Sequence, residues 1–460
     1  MKAKITLLFT FLFIGLNLVN SQSNEEDMAT LSIMTEYAKA KNYEAAYKPF
    51  MELRQRNPKF NRAIYVYGEK ILGDKIKKST GTEKVAFVND LLKLWDERGT
   101  HFASKTPKGE YAAKGCQLMY DHKSILNKTD QELYECFDAA YNLDKATFKN
   151  PKSLYIYFKL KVALYDAGKT PAKDLFNKYD DVAEKIEDEV KIASEKLNKL
   201  IEKEDAGTPL TSKEKKYKKY YSQVLTAYDK VSGSIDTELG ERANCENLIP
   251  LYTKDFEEYK NDAVWLKRSV SRMFYKECTD DPLYEKLVKA YDELSPSADT
   301  KVFVAGILMK KGKASEAEGY FNEAYDLEED TFKKSKLAYR IGTILKKKGK
   351  YGKARGYFRN ALKLNPSNGR PHLAIATMYA ASANRCGDTT FNKRAVYWLA
   401  AEEARKAGRV DPTLKKASAQ SAKSYSAKAP SKSDIFSAAN SGQTIRIGCW
   451  IGASVTVPKV

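Results

Sequence analysis

Six cysteines, Cys116, Cys136, Cys245, Cys278, Cys386 and Cys449, are the residues of this 460-residue chain best suited to covalent chemistry. None stands in a CxxC pair, the spacing that a zinc site or a dithiol redox centre requires. An even set without that spacing predicts disulfides. Cys116 and Cys136 are equidistant from residue 126, and Cys245 and Cys278 flank the turn-like Tyr259 to Asp262 symmetrically, so two antiparallel hairpins would each bring their own pair together. Cys386 and Cys449 remain and are predicted to pair with each other. Each closed loop would add about 3 to 4 kcal/mol by restricting the unfolded chain.

Other chemistry is weakly supplied. His101, His122 and His372 are far apart and lack HExxH or paired ligand spacing. Gly306 to Gly312 followed by Lys313 has five residues between its glycines, with Ala314 where a phosphate loop needs Ser or Thr. No GxSxG elbow is present, and the carboxylate pairs Glu257/Glu258 and Glu402/Glu403 fall on helical stretches where solvated charge is ordinary. Asn127, Lys128 and Thr129 form a glycosylation sequon, which has meaning only in a host with that machinery. The expectation is a protein without catalytic residues, metal or cofactor.

The elements that position these residues are best seen from Ser335 to Asn368, SKLAYRIGTILKKKGKYGKARGYFRNALKLNPSN. Two amphipathic helices meet at Lys348, Gly349 and Lys350. Small Gly342, Ala354 and Ala361 permit close helix approach, bulky Tyr351, Tyr357, Phe358 and Leu362 fill the layers, and Pro366 stops the second helix because it has no amide donor. Counted from Ser335, the stretch resembles a tetratricopeptide repeat. One hairpin cannot bury its apolar faces alone, so neighbours are required.

Those neighbours are visible. Gly312, Ala317, Phe321 and Ala324 precede Gly349, Ala354, Phe358 and Ala361 by a constant 37 residues. Ala376 follows Gly342 by 34 and opens a last repeat, interrupted over Ser382 to Lys393 and closed by a helix from Arg394 to Gly408. At the other end Met34 and Gly68 share the eighth place of successive units, the first running from about Asp27 to Asn57 with Pro49 expected to kink it. The second unit starts near Lys59, is stretched by a loop from Lys77 to Thr82, and resumes through Trp95. A hairpin from Lys108 to Asp144 turns near Asn127.

Between these stacks the rhythm becomes heptad-like. Ile186, Val190, Ala193, Leu197 and Leu200 face Tyr217, Tyr221, Val224, Tyr228 and Val231 across a polar loop, predicting an antiparallel coiled-coil-like arm of roughly 30 Å. Its charged runs, DDVAEKIEDE and KEKKYKK, are opposite in sign. After Lys415 the chain is rich in Ala, Ser and Lys. Ile445, Ile447, Cys449 and Ile451 then alternate with polar residues, and Val455 and Val457 return after Gly452, a β-hairpin signal. The expected staple from Cys386 would hold this hairpin over the last repeat.

The fold class expected is therefore all-α: a tetratricopeptide-like solenoid of antiparallel helix pairs, with a long helical-hairpin arm and a small C-terminal β-hairpin. Its segments are a leader over 1–21, N-terminal repeats over 22–150, further helices and the arm over 151–240, a disulfide-linked helical pair over 241–296, C-terminal repeats over 297–412, and a basic tail with a β cap over 413–460.

Charge and targeting bound the partners. Lys2 and Lys4 precede an apolar run from Ile5 to Leu18, followed by small residues near Ser21, the pattern of a secretory signal peptide. Export in turn places the protein in a periplasm, at an outer membrane, or outside the cell. The formal charge of +19 comes from 79 basic against 60 acidic residues. Dispersed basic residues in an exported protein argue against nucleic acid and for an envelope protein, an anionic polymer or a lipid surface.

Resemblance to the tetratricopeptide family implies a non-enzymatic scaffold whose first helices line a groove for a protein segment. The corresponding groove places are Lys310, Lys336, Tyr339, Arg340, Thr343, Lys346, Lys347, Arg370 and Thr377. The family's clamp for a terminal carboxylate is half present: Lys336 and Arg340 match it, whereas Val302, Phe303 and Gly306 stand where the preceding repeat should complete it.

Overall fold

The computed structural model describes residues 24–460, so the leader expected over 1–21 lies outside the described residues. The chain divides into two compact units, Met1–Lys178 and Tyr179–Val460.

In the first unit, helix α1 occupies 24–39. It is followed by α2 (Tyr43–Arg56), α3 (Ala63–Lys78), α4 (Gly81–His101), α5 (Lys108–Asp121), α6 (Asp130–Leu143) and α7 (Pro151–Asp166). Consecutive helices pack as hairpins because each presents an apolar stripe that water would otherwise hydrate. Gly68 is small for a geometric reason: a Cβ there would come within 2.4 Å of the fully buried Phe50 ring. α2 continues through Pro49. The loop expected from Lys77 to Thr82 is shorter, because α3 runs on to Lys78 and α4 begins at Gly81, which takes a φ of +54°. Cys116 on α5 is bonded to Cys136 on α6, with Cα atoms 5.8 Å apart.

The second unit starts inside α8 (Ala172–Asp205) and continues with α9 (Ser212–Leu239), α10 (Cys245–Tyr259), α11 (Ala263–Tyr275) and α12 (Pro282–Leu294). The segment expected to be a helical pair is thus three helices, and Cys245 at the start of α10 bonds Cys278 just after α11. Then come α13 (Ala298–Lys310), α14 (Ala314–Leu327), α15 (Thr331–Lys347), α16 (Tyr351–Leu364), α17 (Arg370–Ser382) and α18 (Thr390–Val410). The 37-residue echo is structural: Ala317, Phe321 and Ala324 are buried just as Ala354, Phe358 and Ala361 are. Gly312 and Gly349 turn the two hairpins at φ of +78° and +71°, a region costly for residues with a Cβ. Against Gly342 the Phe358 ring lies so close that a Cβ would meet it at 2.7 Å.

The tail is more ordered than its composition suggests. Lys415–Lys428 form α19, which packs on α18 through Ser418 and Ala422, and Lys432–Ser437 form α20. β1 (Thr444–Ile447) pairs antiparallel with β2 (Ala453–Thr456), Ile445 opposite Val455. Cys449 and Ile451, expected in the first strand, instead lie in the connecting turn, Cys449 at a φ of +51°. Cys449 is bonded to Cys386. Ile447, Ile451 and Val455 join the core of α13 to α18, while the Trp450 ring meets Tyr351 and Tyr379 and its Nε1 donates to Ser382 at 2.9 Å.

One charged group is sealed among these helices. The carboxylate of Glu403 on α18 receives His372 Nδ1 at 2.6 Å and Arg359 at 2.7 Å. Burial alone would raise its pKa, but the His372 contact and the Arg359 charge outweigh it and hold the group down at about 2, against an ordinary value near 4.5. Because the folded value is depressed, the stabilisation is complete above about pH 4.5 and is lost as pH falls towards 2. Glu403→Gln should therefore flatten the acid limb of stability between these pH values; unfolding curves of equal pH slope in both proteins would contradict the assignment.

Candidate binding cavity

The long hairpin α8–α9 is antiparallel, as its heptad rhythm predicts, with Lys203 meeting Glu214 at 2.7 Å and Tyr179 donating to Asp236 at 2.8 Å. Its helices of 34 and 28 residues exceed the expected length, about 50 and 40 Å at 1.5 Å per residue. It lies against the C-terminal repeats. Along α8, Asp180 engages Arg272, Glu184 receives Arg268 at 3.0 Å, Glu187 pairs with Lys336 at 2.6 Å, Lys191 pairs with Asp330, and Asn198 accepts from the Ser367 amide at 3.0 Å. Asp229 on α9 adds a pair to Arg370 at 2.8 Å. The acidic run of α8 is thus seated along a basic wall.

Between hairpin and wall a cavity of about 1180 Å³ remains. Ala183, Ile186, Val190, Leu225 and Tyr228 line one side, and Tyr284, Ile307, Met309, Phe332, Tyr339 and Ile344 line the other. The charges are segregated. The hairpin contributes Glu187, Asp229 and Asp236 and no cation, whereas the repeat wall contributes Lys276, Lys310, Lys336, Arg340, Lys347, Lys348 and Arg370 against only Glu277, Asp280 and Asp411.

Of the nine groove residues expected from sequence, Lys310, Lys336, Tyr339, Arg340, Thr343, Lys347 and Arg370 are brought together around this cavity. Lys346 and Thr377 are not part of its lining: burial lowers the Lys346 pKa, and the Thr377 hydroxyl donates to Leu373 within α17. Arg340 is already engaged. It donates to Asp299 at 2.7 Å and to the Tyr275 phenol at 3.0 Å, and lies 5.4 Å from the centre of the Phe303 ring, so half of the sequence-level clamp serves as an internal brace. Lys310 and Lys347 pair with Asp280 and Glu277, whose side chains are 93% and 80% exposed. Lys276 and Lys348 have no acidic partner among the described residues. These two and the hairpin acids were missed by the sequence reading, although the opposite sign of the acidic run and the lysine-rich α15 was available as a signal.

Among the described residues no cluster could hold a metal ion, and no helix is long and apolar enough to cross a membrane.

Stacked helical hairpins around an apolar, charge-segregated cavity define a helical-repeat protein. Residues 335–368 match the tetratricopeptide repeat family and form one such repeat, α15 and α16. No curated protein matches the sequence. Distant similarity extends to solved structures. One is a human IFIT1 dimer with m7Gppp-AAAA, at 15% identity over 75% of this chain and 71% of that chain, with a TM-score of 0.32. Another is yeast Tom70, at 12% identity over 90% and 94%, with a TM-score of 0.28.

The hairpin is held differently at its root and midway along α8. At its root, Arg272 is sealed between Asp180 and the Tyr252 phenol; burial works against its charge, and Tyr252 and Asp180 outweigh it to raise its pKa. Further out, the Lys336–Glu187 pair is 40% and 45% exposed. Asp180→Asn, which uncovers a buried guanidinium, should cost about 3 to 5 kcal/mol, and Glu187→Gln less than about 1 kcal/mol. Urea unfolding of the full chain measures both, and equal losses would refute the graded attachment.

Proposed function

We propose that this protein is a non-enzymatic scaffold that holds a segment of a protein partner in the cavity of its second unit, and that it works in the cell envelope after export. The observation that carries the reading is the cavity itself, built on a tetratricopeptide repeat and larger than the roughly 300 to 1,000 Å³ that suits a small molecule. Export is supported by the basic and apolar leader together with three disulfides, which persist in oxidising compartments. A preformed wall lowers the ordering cost of binding.

A photoreactive side chain placed at Thr343, inside the cavity, should give a discrete protein adduct in cells, and one placed at Thr377, outside it, should not. Equal labelling from both positions, or none from Thr343, would defeat the scaffold reading.

A second reading, attachment to an anionic polymer or lipid surface, draws on α19 and α20, where Lys415, Lys416, Lys423, Lys428 and Lys432 are exposed and Phe436 is 83% exposed. It requires salt-sensitive co-sedimentation with anionic vesicles or cell wall, lost in a Lys423→Glu/Lys428→Glu protein. Absence of sedimentation at low salt eliminates it.

A further inference from the structure

We infer that the partner segment is an acidic amphipathic helix, and that α8 is the resident element occupying part of its seat; this rests on the scaffold reading and names the chemistry of its ligand. The repeat wall is rich in cations, and the acids that answer Lys336 and Arg370 come from the hairpin, as Glu187 and Asp229. The same hairpin turns Ile186, Val190 and Tyr228 towards the cavity. Acidic residues beside an apolar stripe are therefore the chemistry this wall already accepts. Lys276 and Lys348, without an acidic partner among the described residues, add two further cations to the same lining.

The resident seat is incomplete in a way that permits exchange. The root at Arg272 is buried, but the Lys336 and Arg370 pairs are partly exposed and face an unfilled volume. An incoming acidic helix can satisfy the same cations while filling apolar space that α8 leaves open. The hairpin then sets the apparent affinity, because a ligand that must displace a resident binds in proportion to the fraction of chains whose seat is free.

The probe is a labelled synthetic peptide of residues 179–201, with a control peptide carrying Glu184→Lys, Glu187→Lys and Asp188→Lys. Both are titrated into the full chain and into its Glu187→Gln/Asp229→Asn form. Loosening two partly exposed pairs should tighten binding of the acidic peptide about fivefold, and adding Lys336→Glu/Arg370→Glu should abolish it. If the double variant loses helicity by circular dichroism, the single variants carry the test at about twofold each. Unchanged affinity in folded variants, or equal binding of the lysine control, overturns the inference. Adducts from Thr343 without peptide binding would reject the acidic helix and leave the scaffold standing; failure of both experiments removes both.

Discussion

A guanidinium withdrawn from water must be answered by a negative charge, and at Arg272 the answer comes from Asp180, 92 residues earlier in the chain. That contact is the root from which α8 runs along the C-terminal repeats. Beyond it, α8 is held by its buried apolar residues Val182, Ile186, Ala193 and Leu197, by the Asn198 contact to the Ser367 amide, and by partly exposed pairs such as Lys336–Glu187. Tyr252, buried against the same guanidinium, ties α10 into the arrangement, and the Cys245–Cys278 bond joins the start of α10 to the end of α11 beside it. The hairpin's position is thus set by a small buried charged cluster near its root together with partly exposed pairs and buried apolar contacts along α8.

The repeats were legible because their signals are local. Gly342 faces Phe358 within one hairpin, and the 37-residue spacing repeats that geometry between α13–α14 and α15–α16. The cysteine pairs on α5–α6 and around α10–α11 followed from the same locality, since antiparallel helices fix which residues lie opposite. Legibility failed where small residues make the contact. α19 buries Ser418 and Ala422 against α18, an interface too narrow to give an apolar stripe, and the Ala, Ser and Lys content reads as a tail although alanine is a strong helix former. It failed again at Cys449, where a left-handed turn residue interrupts an alternation that period-two reasoning extends as strand.

The placement of the arm was beyond local reasoning for a different cause. Its heptads specify that α8 and α9 pair, but not what the pair rests upon. Only charge sign hinted at that, and sign without geometry does not distinguish a solvated face from a seat. The pairs Glu187–Lys336 and Asp229–Arg370 span about 150 residues each, so no periodicity in the sequence connects them.

Arg340 shows what repeat position alone leaves out. By repeat position it is a ligand contact, and its neighbour one turn earlier, Lys336, does face the cavity with its charge answered by the hairpin. Yet Arg340 carries Asp299, the Tyr275 phenol and the Phe303 ring, linking α15 to α11 and α13. A cation so enclosed cannot exchange partners without unpairing Asp299, whereas Lys336 can trade one exposed carboxylate for another at little cost. The deep cation therefore holds the wall in place, and the cations left replaceable are the outer ones, Lys336 and Arg370, with Lys276 and Lys348 in the same lining. In the proposed binding of an acidic helix, recognition would rest on charges that remain replaceable, supported by one that is not.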